Sequence, residues 1–405
     1  MQIYIHIPFC EQKCNYCRFA SIWKIHSGRS ALEVQDLHIA KYVSFLCEEI
    51  KENKYNPSAF QAAPFNSKGS KISTIYFWWW TPWVLKLEQF EKILKIIKNK
   101  YILDKNCEIT IETTPDKITK ENLIGWKKLW INRISIWIQT LNKRSLEEIW
   151  RWNKWDIIKA LENIKENISG KTHKFDPINI SVDFIIWLPY VKKWEILENI
   201  KYVLDNFDFI KHISVYMLED YYSPDKIIET KYDNITYPED WWKQGIKEEE
   251  YLEEYSNIKK YLIEKWFNNY EISNYWKSWF ECKHNIWYWN HKEILAFWLW
   301  AFWYVNNTRY ANADNFKDYY KWKKLFEKKL TQEDIFLEKV MFQLRTSWIE
   351  KNIYKKLDRK KIDYFIENNY LENSPIISFH KGNEPKIKLT DKWVLVMDYI
   401  LSEII

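Results

Sequence analysis

The chain has 405 residues, 47% of them hydrophobic, and a formal net charge of +6 with acidic and basic residues mixed throughout. This length suffices for one large and one small domain, and such a weak, dispersed charge argues against a nucleic-acid partner. No apolar run approaches the ~18 residues of a membrane-spanning helix, and no signal peptide precedes the first predicted strand. We therefore expect a cytoplasmic protein.

The first half of the chain alternates short apolar strands with amphipathic helices. Strands are predicted at Ile3–Ile7, Ile72–Phe77, Glu108–Glu112, Arg133–Ile138, Asn179–Ile186 and His212–Leu218. Helices are predicted at Asp36–Lys54, Leu87–Lys100, Thr119–Leu129, Ser145–Asn167 and Lys193–Asn206. This alternation predicts an α/β fold with a parallel sheet and right-handed crossovers, either open or curled into a partial barrel.

The second half begins with a long charged helix, roughly Pro238–Lys265. The aromatic-rich residues 269–310 are predicted to form further strands and loops. From about Asn315 the pattern is helical, and it ends in a short strand over 386–390 and a last helix. We therefore predict three segments, 1–235, 236–312 and 313–405, the last of them a compact winged-helix-like module.

Three of the six cysteines, Cys10, Cys14 and Cys17, form the pattern C-x3-C-x2-C directly after the first strand. In a reducing compartment such a group indicates a metal site rather than disulfides. Three thiolates can bind three irons of a [4Fe–4S] cluster and leave the fourth iron open to a ligand. A zinc site would need a fourth protein ligand nearby, so the cluster is favoured, at the end of the sheet where active sites of barrel folds lie.

Six segments, spread over most of the chain, carry a resemblance to a known family. They are Tyr4-Ile-His-Ile-Pro-Phe-Cys10, Tyr76-Phe77-Trp78-Trp79-Trp80-Thr81-Pro82, Glu112-Thr113-Thr114-Pro115, Asn132-Arg133-Ile134-Ser135-Ile136-Trp137-Ile138-Gln139, Ser181-Val182-Asp183-Phe184-Ile185-Ile186-Trp187-Leu188-Pro189 and Tyr270-Glu271-Ile272-Ser273-Asn274-Tyr275. Together they resemble the branch of radical S-adenosylmethionine (SAM) proteins that contains the HemW heme chaperones and the oxygen-independent coproporphyrinogen III oxidases. The resemblance implies a partial (β/α)6 TIM-like radical SAM barrel with a small C-terminal helical, winged-helix-like domain.

Tryptophan and glycine usage is inverted, with 26 Trp and 6 Gly where average usage gives about 28 glycines. Tryptophan stands where the family has glycine at Trp78, Trp79, Trp80, Trp137, Trp187, Trp298 and Trp300. The family's glycine turn lets the backbone approach a ligand closely, whereas indoles would fill the pocket. We interpret these positions as UGA codons that the source organism reads as glycine. Alternatively the tryptophans are genuine, and the chain is a relative that has lost SAM binding.

The resemblance implies that SAM chelates the open iron of the cluster through its amino and carboxylate groups. The residues it places around the cofactor are Tyr4, Tyr16, Trp79, Trp80, Thr81, Glu112, Gln139, Arg151 and Asp183. Carboxylates suit ribose hydroxyls or the amino group, and arginine suits the carboxylate. Two positions depart from the family pattern: Thr114 replaces an asparagine, and Trp152-Asn153 replaces the end of an Arg-x-His motif, so no histidine role carries over.

A second motif, His284-Asn285-Ile286-Trp287-Tyr288-Trp289, matches the His-Asn-x-x-Tyr-Trp sequence associated with heme binding in the chaperone members of the family. Imidazole is a natural axial ligand of heme iron, so His284 is the predicted heme ligand. Cys282 is an alternative thiolate ligand, although a buried free cysteine is the simpler interpretation.

Two functions follow from the resemblance: a chaperone that binds heme and delivers it to an apo-hemoprotein, or an oxidase that decarboxylates coproporphyrinogen III. The oxidases resemble C-x3-C-x2-C-x-C with an N-terminal arm and lack the His-Asn-x-x-Tyr-Trp motif. Here Arg18 and Phe19 follow Cys17, and the first strand begins at Ile3. These features favour the chaperone. A membrane-associated acceptor and a homodimer are both compatible with the sequence.

Overall fold

The alternating strands and helices build one twelve-stranded sheet and a separate two-stranded hairpin. A computed structural model describes residues 1–9, 14, 31–54, 71–78, 85–149, 156–167, 178–218, 248–297, 299, 301–346, 353, 355–374 and 386–390.

The strands are β1 Gln2–His6, β2 Ile72–Trp78, β3 Leu103–Thr113, β4 Arg133–Gln139, β5 Asn179–Ile186, β6 Ile210–Met217, β7 Asn268–Glu271, β8 Asn274–Trp276, β9 Ile294–Phe297, β10 Phe302–Val305, β11 Thr308–Asn312, β12 Lys324–Lys329, β13 Leu371–Ser374 and β14 Lys386–Leu389. The helices are α1 Ala31–Glu52, α2 Leu87–Lys100, α3 Lys120–Lys128, α4 Lys143–Glu148, α5 Ile157–Asn167, α6 Glu195–Asn206, α7 Glu248–Glu264, α8 Lys283–Trp289, α9 Phe316–Tyr319, α10 Gln332–Leu344 and α11 Arg359–Glu367.

The centre of the large sheet consists of the six predicted strands, β1 to β6, in chain order and parallel to one another. The full order is β12-β11-β10-β9-β1-β2-β3-β4-β5-β6-β8-β7. The strand β9 extends the parallel part by pairing with β1, and antiparallel strands complete both ends. The predicted parallel arrangement of these six strands is therefore correct.

The two faces of the parallel sheet differ in chemistry because side chains alternate along each strand. One face is apolar and shares a core with the helices, as Ile3, Ile75, Ile111 and Phe90 illustrate. The other face is polar and is also buried; its members include His6, Thr74, Glu108, Thr110, Glu112, Arg133, Ser135, Ser181, Asp183, His212 and Ser214. Strands buried on both faces usually read as continuous hydrophobic runs, so this polar face marks a functional interior.

The C-terminal helices α10 and α11 and the β13–β14 hairpin have a small hydrophobic core of their own. It contains Val340, Leu344, Ile353, Leu357, Ile362, Phe365, Leu371 and Leu389. The main sheet itself runs past residue 312, because β12 pairs with β11; the three predicted segments remain a prediction. None of the described helices is long and apolar enough to cross a membrane.

Six tryptophans occupy the left-handed region of backbone space, half of the twelve non-glycine residues with positive φ in the described chain. They are Trp130, Trp187, Trp194, Trp266, Trp279 and Trp322, with φ between 61° and 78°. The left-handed conformation costs a residue with a Cβ about 1–2 kcal/mol. Glycine adopts it freely, so these positions favour glycine.

Three of these tryptophans lie just after a helix, in the position that glycine usually occupies. After α3, the amide of Trp130 bonds to the carbonyl of Lys127, and the amide of Ile131 bonds to that of Trp126. The same pair of bonds ends α7 at Trp266 and α9 at Trp322. This is the Schellman arrangement, whose left-handed residue is commonly glycine. The indoles of Trp130 and Trp266 are 65% and 86% exposed, so little packing offsets the backbone cost there. Trp322 is half-exposed, and its ring packs 4.5 Å from that of Phe45.

Candidate functional site

The cysteine loop follows the end of β1. Of its three cysteines, the structure describes Cys14. Its side chain is buried, and the preceding Phe9 packs edge-on against Tyr42 of α1 with ring centroids 5.3 Å apart. Seven other predicted site residues lie outside the described residues and remain predictions. They are Cys10, Tyr16, Cys17, Trp79, Trp80, Thr81 and Arg151.

Three predicted SAM-contacting residues lie together at the carboxyl ends of neighbouring strands. Glu112 is on β3, Gln139 ends β4, and Asp183 is on β5. Each is at most 6% exposed. Gln139 has a φ of 67° and follows a shift of register in β4, a strained conformation of the kind found at ligand sites. The carboxyl edge thus gathers two carboxylates and one carboxamide.

Asp183 is held on the polar face by serines of the adjacent strands. The hydroxyl of Ser135 lies 3.2 and 3.1 Å from the two carboxylate oxygens. Burial raises the pKa of Asp183 to about 6, although hydrogen bonds from Ser214 and Ser135 oppose the shift. A carboxylate that is buried yet ionised near neutral pH can accept hydrogen bonds from ligand hydroxyl or amino groups.

Tyr76 of β2 orients Glu112. Its hydroxyl donates to Oε1 of Glu112 at 2.7 Å, and burial, followed by the charge of Glu112, raises the pKa of the phenol well above its usual value. The phenol therefore remains a donor, and the bond is charge-assisted. Tyr76 is not among the site residues that the sequence predicts, although its position two residues before Trp78 puts it on the same face of β2.

Two tryptophans occupy the same edge. Trp78 ends β2, with its indole 5.4 Å from the ring of Tyr4, and Trp137 pairs with Asp183 across β4 and β5. Glu112, Gln139 and Asp183 are the groups that the resemblance assigns to the amino group and ribose of SAM. The two indoles fill space beside those groups. Glycine at positions 78 and 137 would leave this space open to a ligand, whereas tryptophan reduces it.

His284 lies at the opposite, amino-terminal end of the sheet. Its Nδ1 is 2.8 Å from Oγ1 of Thr74 on β2. Thr74 pairs in register with Glu108, four residues before Glu112 on β3, or ~13 Å along an extended strand. Tyr4, the remaining predicted SAM residue, lies between the two ends, with its ring near His284 and its hydroxyl on Nδ1 of His6. The structure thus places the predicted heme ligand beside Tyr4 and away from Glu112, Gln139 and Asp183 at the carboxyl edge.

Residues 280–289, here called the capping segment, cover this amino-terminal end. Glu108 accepts the backbone amides of Lys283 and His284 at 3.1 and 3.2 Å. The side chains of Arg133 and Asn179 donate to the carbonyl of Phe280 at 3.3 and 3.0 Å. Both residues begin their strands, so the capping segment is bonded to the starts of β4 and β5 as well as to β3.

Cys282 does not provide a thiolate in this arrangement. It is 1% exposed, and its thiol donates to Oε1 of Glu108 at 3.8 Å. Burial, reinforced by the charge of Glu108, raises its pKa to about 12. The side chain is therefore a buried thiol at neutral pH, as the simpler interpretation of the sequence predicts.

The chemistry of His284 suits a heme ligand, but its position does not. Burial lowers its pKa to about 3, so the imidazole is neutral and retains a lone pair for a metal. Thr74 is hydrogen-bonded to Nδ1, just as a carboxylate, carbonyl or water is usually hydrogen-bonded to the second ring nitrogen of a metal-bound histidine. However, His284 is only 6% exposed, and the rings of Tyr76 and Tyr4 lie 4.8 and 6.5 Å from it. In this conformation the described residues withhold it from a porphyrin.

The far end of α8 packs against the C-terminal helix α10. The rings of Tyr288 and Trp289 lie 5.0 and 5.7 Å from Phe342. Just beyond α8, Nε2 of His291 is 2.6 Å from Glu338, which also accepts two hydrogen bonds from Arg309 at 2.7 Å. Although burial opposes it, these bonds lower the pKa of Glu338 to about 2. The His-Asn-x-x-Tyr-Trp motif therefore connects the sheet with α10.

Comparison with curated proteins finds relatives over nearly the whole chain. The heme chaperone HemW of Buchnera aphidicola subsp. Schizaphis graminum is 28% identical over 393 residues, covering 92% of each chain. The heme chaperone HemW of Buchnera aphidicola subsp. Acyrthosiphon pisum is 30% identical over 300 residues, covering 73% of this chain and 68% of its own. HemW of Bacillus subtilis is 29% identical over 321 residues, covering 78% and 74%. No family model matches the chain.

Among solved structures, the fold resembles that of Escherichia coli coproporphyrinogen III oxidase (HemN), described as a radical SAM enzyme. The TM-score is 0.72 at 17% sequence identity, and the match covers 99% of this chain and 89% of the other. The predicted fold class is therefore confirmed.

Proposed function

The chain belongs to the family of the heme chaperone HemW, and from this premise we propose that it binds heme and transfers it to an apo-hemoprotein. The observation that carries the proposal is the similarity to HemW over 92% of both chains. The chain also contains the motif His284 to Trp289, which the resemblance associates with heme.

We further propose that Cys10, Cys14 and Cys17 hold a [4Fe–4S] cluster and that SAM binds beside it. The cluster, when bound, supplies an open iron and an electron for SAM. This chain contributes acceptors at the carboxyl edge: Glu112, oriented by Tyr76, and Asp183, oriented by Ser135. Both are buried, so they would exclude water from hydrogen bonds to the ribose and amino groups.

We propose that the natural protein has glycine at most of the positions written here as tryptophan. The exchange clears the carboxyl edge at positions 78 and 137. It also removes six left-handed tryptophans from the backbone, including the three at Schellman helix ends. A buried side chain such as Trp126, 1% exposed within the core, is the kind of tryptophan that can be genuine.

The mass of the peptide 72–86, from protein made in its native host, tests this proposal. It contains Trp78, Trp79, Trp80 and Trp83, and we expect a glycine mass at all four positions. Peptides that contain positions 130, 266 and 322 should show glycine as well. Tryptophan masses throughout would refute the recoding and leave the carboxyl edge blocked to SAM.

An anaerobic spectral titration with hemin tests the heme chaperone function. We expect a saturable Soret shift and, on addition of an apo-hemoprotein, a transfer of the heme spectrum to that acceptor. A parallel incubation with coproporphyrinogen III, SAM and a reductant should leave the porphyrinogen unchanged. Formation of protoporphyrinogen, or the absence of saturable hemin binding, would contradict the proposed function.

A further inference from the structure

We propose that the buried position of His284 is an autoinhibited state, in which the amino-terminal end of the sheet and heme compete for the same imidazole. The inference rests on the proposed function and concerns how heme binding is controlled. In the closed state, described here, the capping segment covers the end of the sheet. In an open state, α8 leaves it and His284 becomes a ligand.

The closed state is held by contacts that heme binding must break. Nδ1 of His284 is bonded to Thr74, a residue with no exposed surface. An axial ligand must present a nitrogen to the iron and leave the space above it to the macrocycle. His284 is only 6% exposed, and the rings of Tyr4 and Tyr76 pack beside its imidazole. A porphyrin therefore cannot reach the imidazole unless either the tyrosines or the histidine move.

The tyrosines are the less mobile partners. Both belong to strands in the middle of the sheet, and their hydroxyls are anchored: Tyr4 to His6 at 2.9 Å and Tyr76 to Glu112 at 2.7 Å. The helix α8 has only seven residues, and its N-cap, Cys282, provides no side-chain cap. The first backbone amides of α8 donate to the carboxylate of Glu108 on β3. A helix this short depends on tertiary contacts, so the histidine is the side that moves.

The contacts with α10 hold the other end of the helix. Besides the aromatic packing on Phe342, the guanidinium of Arg345 lies 5.8 Å from the ring of Trp289. Glu338 joins His291 and Arg309 directly after α8. Release of His284 therefore requires two groups of contacts to yield, one on the sheet and one on α10. Weakening either group should raise the population of the open state.

Thr74→Val is the direct test, because it preserves the shape of the side chain and removes the hydrogen bond between Thr74 and Nδ1. Loss of one hydrogen bond shifts a closed-to-open equilibrium about fivefold, and the apparent affinity rises by the same factor. We expect hemin to bind Thr74→Val about fivefold more tightly. Amide hydrogen exchange of residues 283–289 should accelerate even without hemin. Thr74→Ser should resemble the unaltered protein.

Thr110→Val is the matched control. Thr110 is equally buried on the polar face of β3, and its hydroxyl has no hydrogen-bond partner among the described residues. Its replacement should leave hemin affinity and hydrogen exchange unchanged. An unchanged or weaker affinity of Thr74→Val would overturn the proposal, and a weaker one would show that Thr74 orients the bound ligand instead.

Glu338→Gln weakens the contacts at the other end without touching His284, and it should also tighten hemin binding. The matched control is Glu327→Gln on β12, an exposed carboxylate paired with Lys324. The gain in Thr74→Val must disappear when His284→Gln is added; a gain that persists excludes His284 as the ligand and overturns the proposal. Failure of every form to bind hemin contradicts the proposed function itself, whereas binding that these variants do not alter contradicts autoinhibition alone.

Discussion

A triple variant with glycine at positions 130, 266 and 322 is expected to be more stable than the chain with tryptophan, by about 2 kcal/mol in the free energy of unfolding. Each left-handed tryptophan costs about 1–2 kcal/mol. The greater freedom of glycine in the unfolded chain offsets about 0.4–1 kcal/mol of that at each position. Urea unfolding of both recombinant proteins, followed by circular dichroism, measures the difference.

The matched control is Trp126→Gly in α3. Trp126 is 1% exposed, so its removal leaves a cavity and should destabilise the fold by about 3–5 kcal/mol. The sign of the effect therefore separates the two classes of tryptophan. A destabilised triple variant would contradict the assignment of these helix ends to glycine and would favour genuine, packed indoles.

Asp183→Asn is expected to stabilise the fold by about 3 kcal/mol at pH 8 and to change it little at pH 4. Burial raises the folded-state pKa to about 6, against about 3.9 in the unfolded chain. The folded state therefore holds its proton more tightly, and the free energy of unfolding falls as pH rises from about 4 to 6. Asparagine does not ionise, so the variant avoids this loss. Urea unfolding at both pH values tests the difference.

The effect of Asp183→Asn on SAM binding should be opposite to its effect on stability. The variant keeps the shape of the side chain but loses its charge, so SAM binding to a form with glycine at positions 78, 79, 80 and 137 should weaken at pH 8. Glu198→Gln, the removal of an exposed carboxylate on α6, is the control and should alter neither quantity. A stability difference that is the same at pH 4 and pH 8 would rule out a raised pKa for Asp183.

The sequence predicted the secondary structure of the sheet closely. The helix predicted at Leu87–Lys100 has those bounds, and the strand predicted at Asn179–Ile186 does too. Such elements are visible because their periodicity is local: period two along a strand, and 3.6 along a helix. The predicted helix Ser145–Asn167 corresponds to two described helices, α4 Lys143–Glu148 and α5 Ile157–Asn167.

The sequence did not predict the helix α8, because the contacts that stabilise it come from distant parts of the chain. Residues 269–310 are aromatic and were predicted to form strands and loops, yet residues 283–289 are helical. The carboxylate that accepts the first amides of α8 belongs to Glu108, about 175 residues earlier in the chain. No pattern within seven residues can show such a cap.

The sequence by itself determined the alternation of strands and helices, the parallel arrangement of six strands, and the motifs that carry the family resemblance. It also indicated that the tryptophans stand at glycine positions. Only the tertiary structure decided that Glu112, Gln139 and Asp183 share one end of the sheet while His284 lies buried at the other. The physical reason is that a motif specifies which groups a chain contains, whereas burial and access depend on which distant strands and helices pack around them.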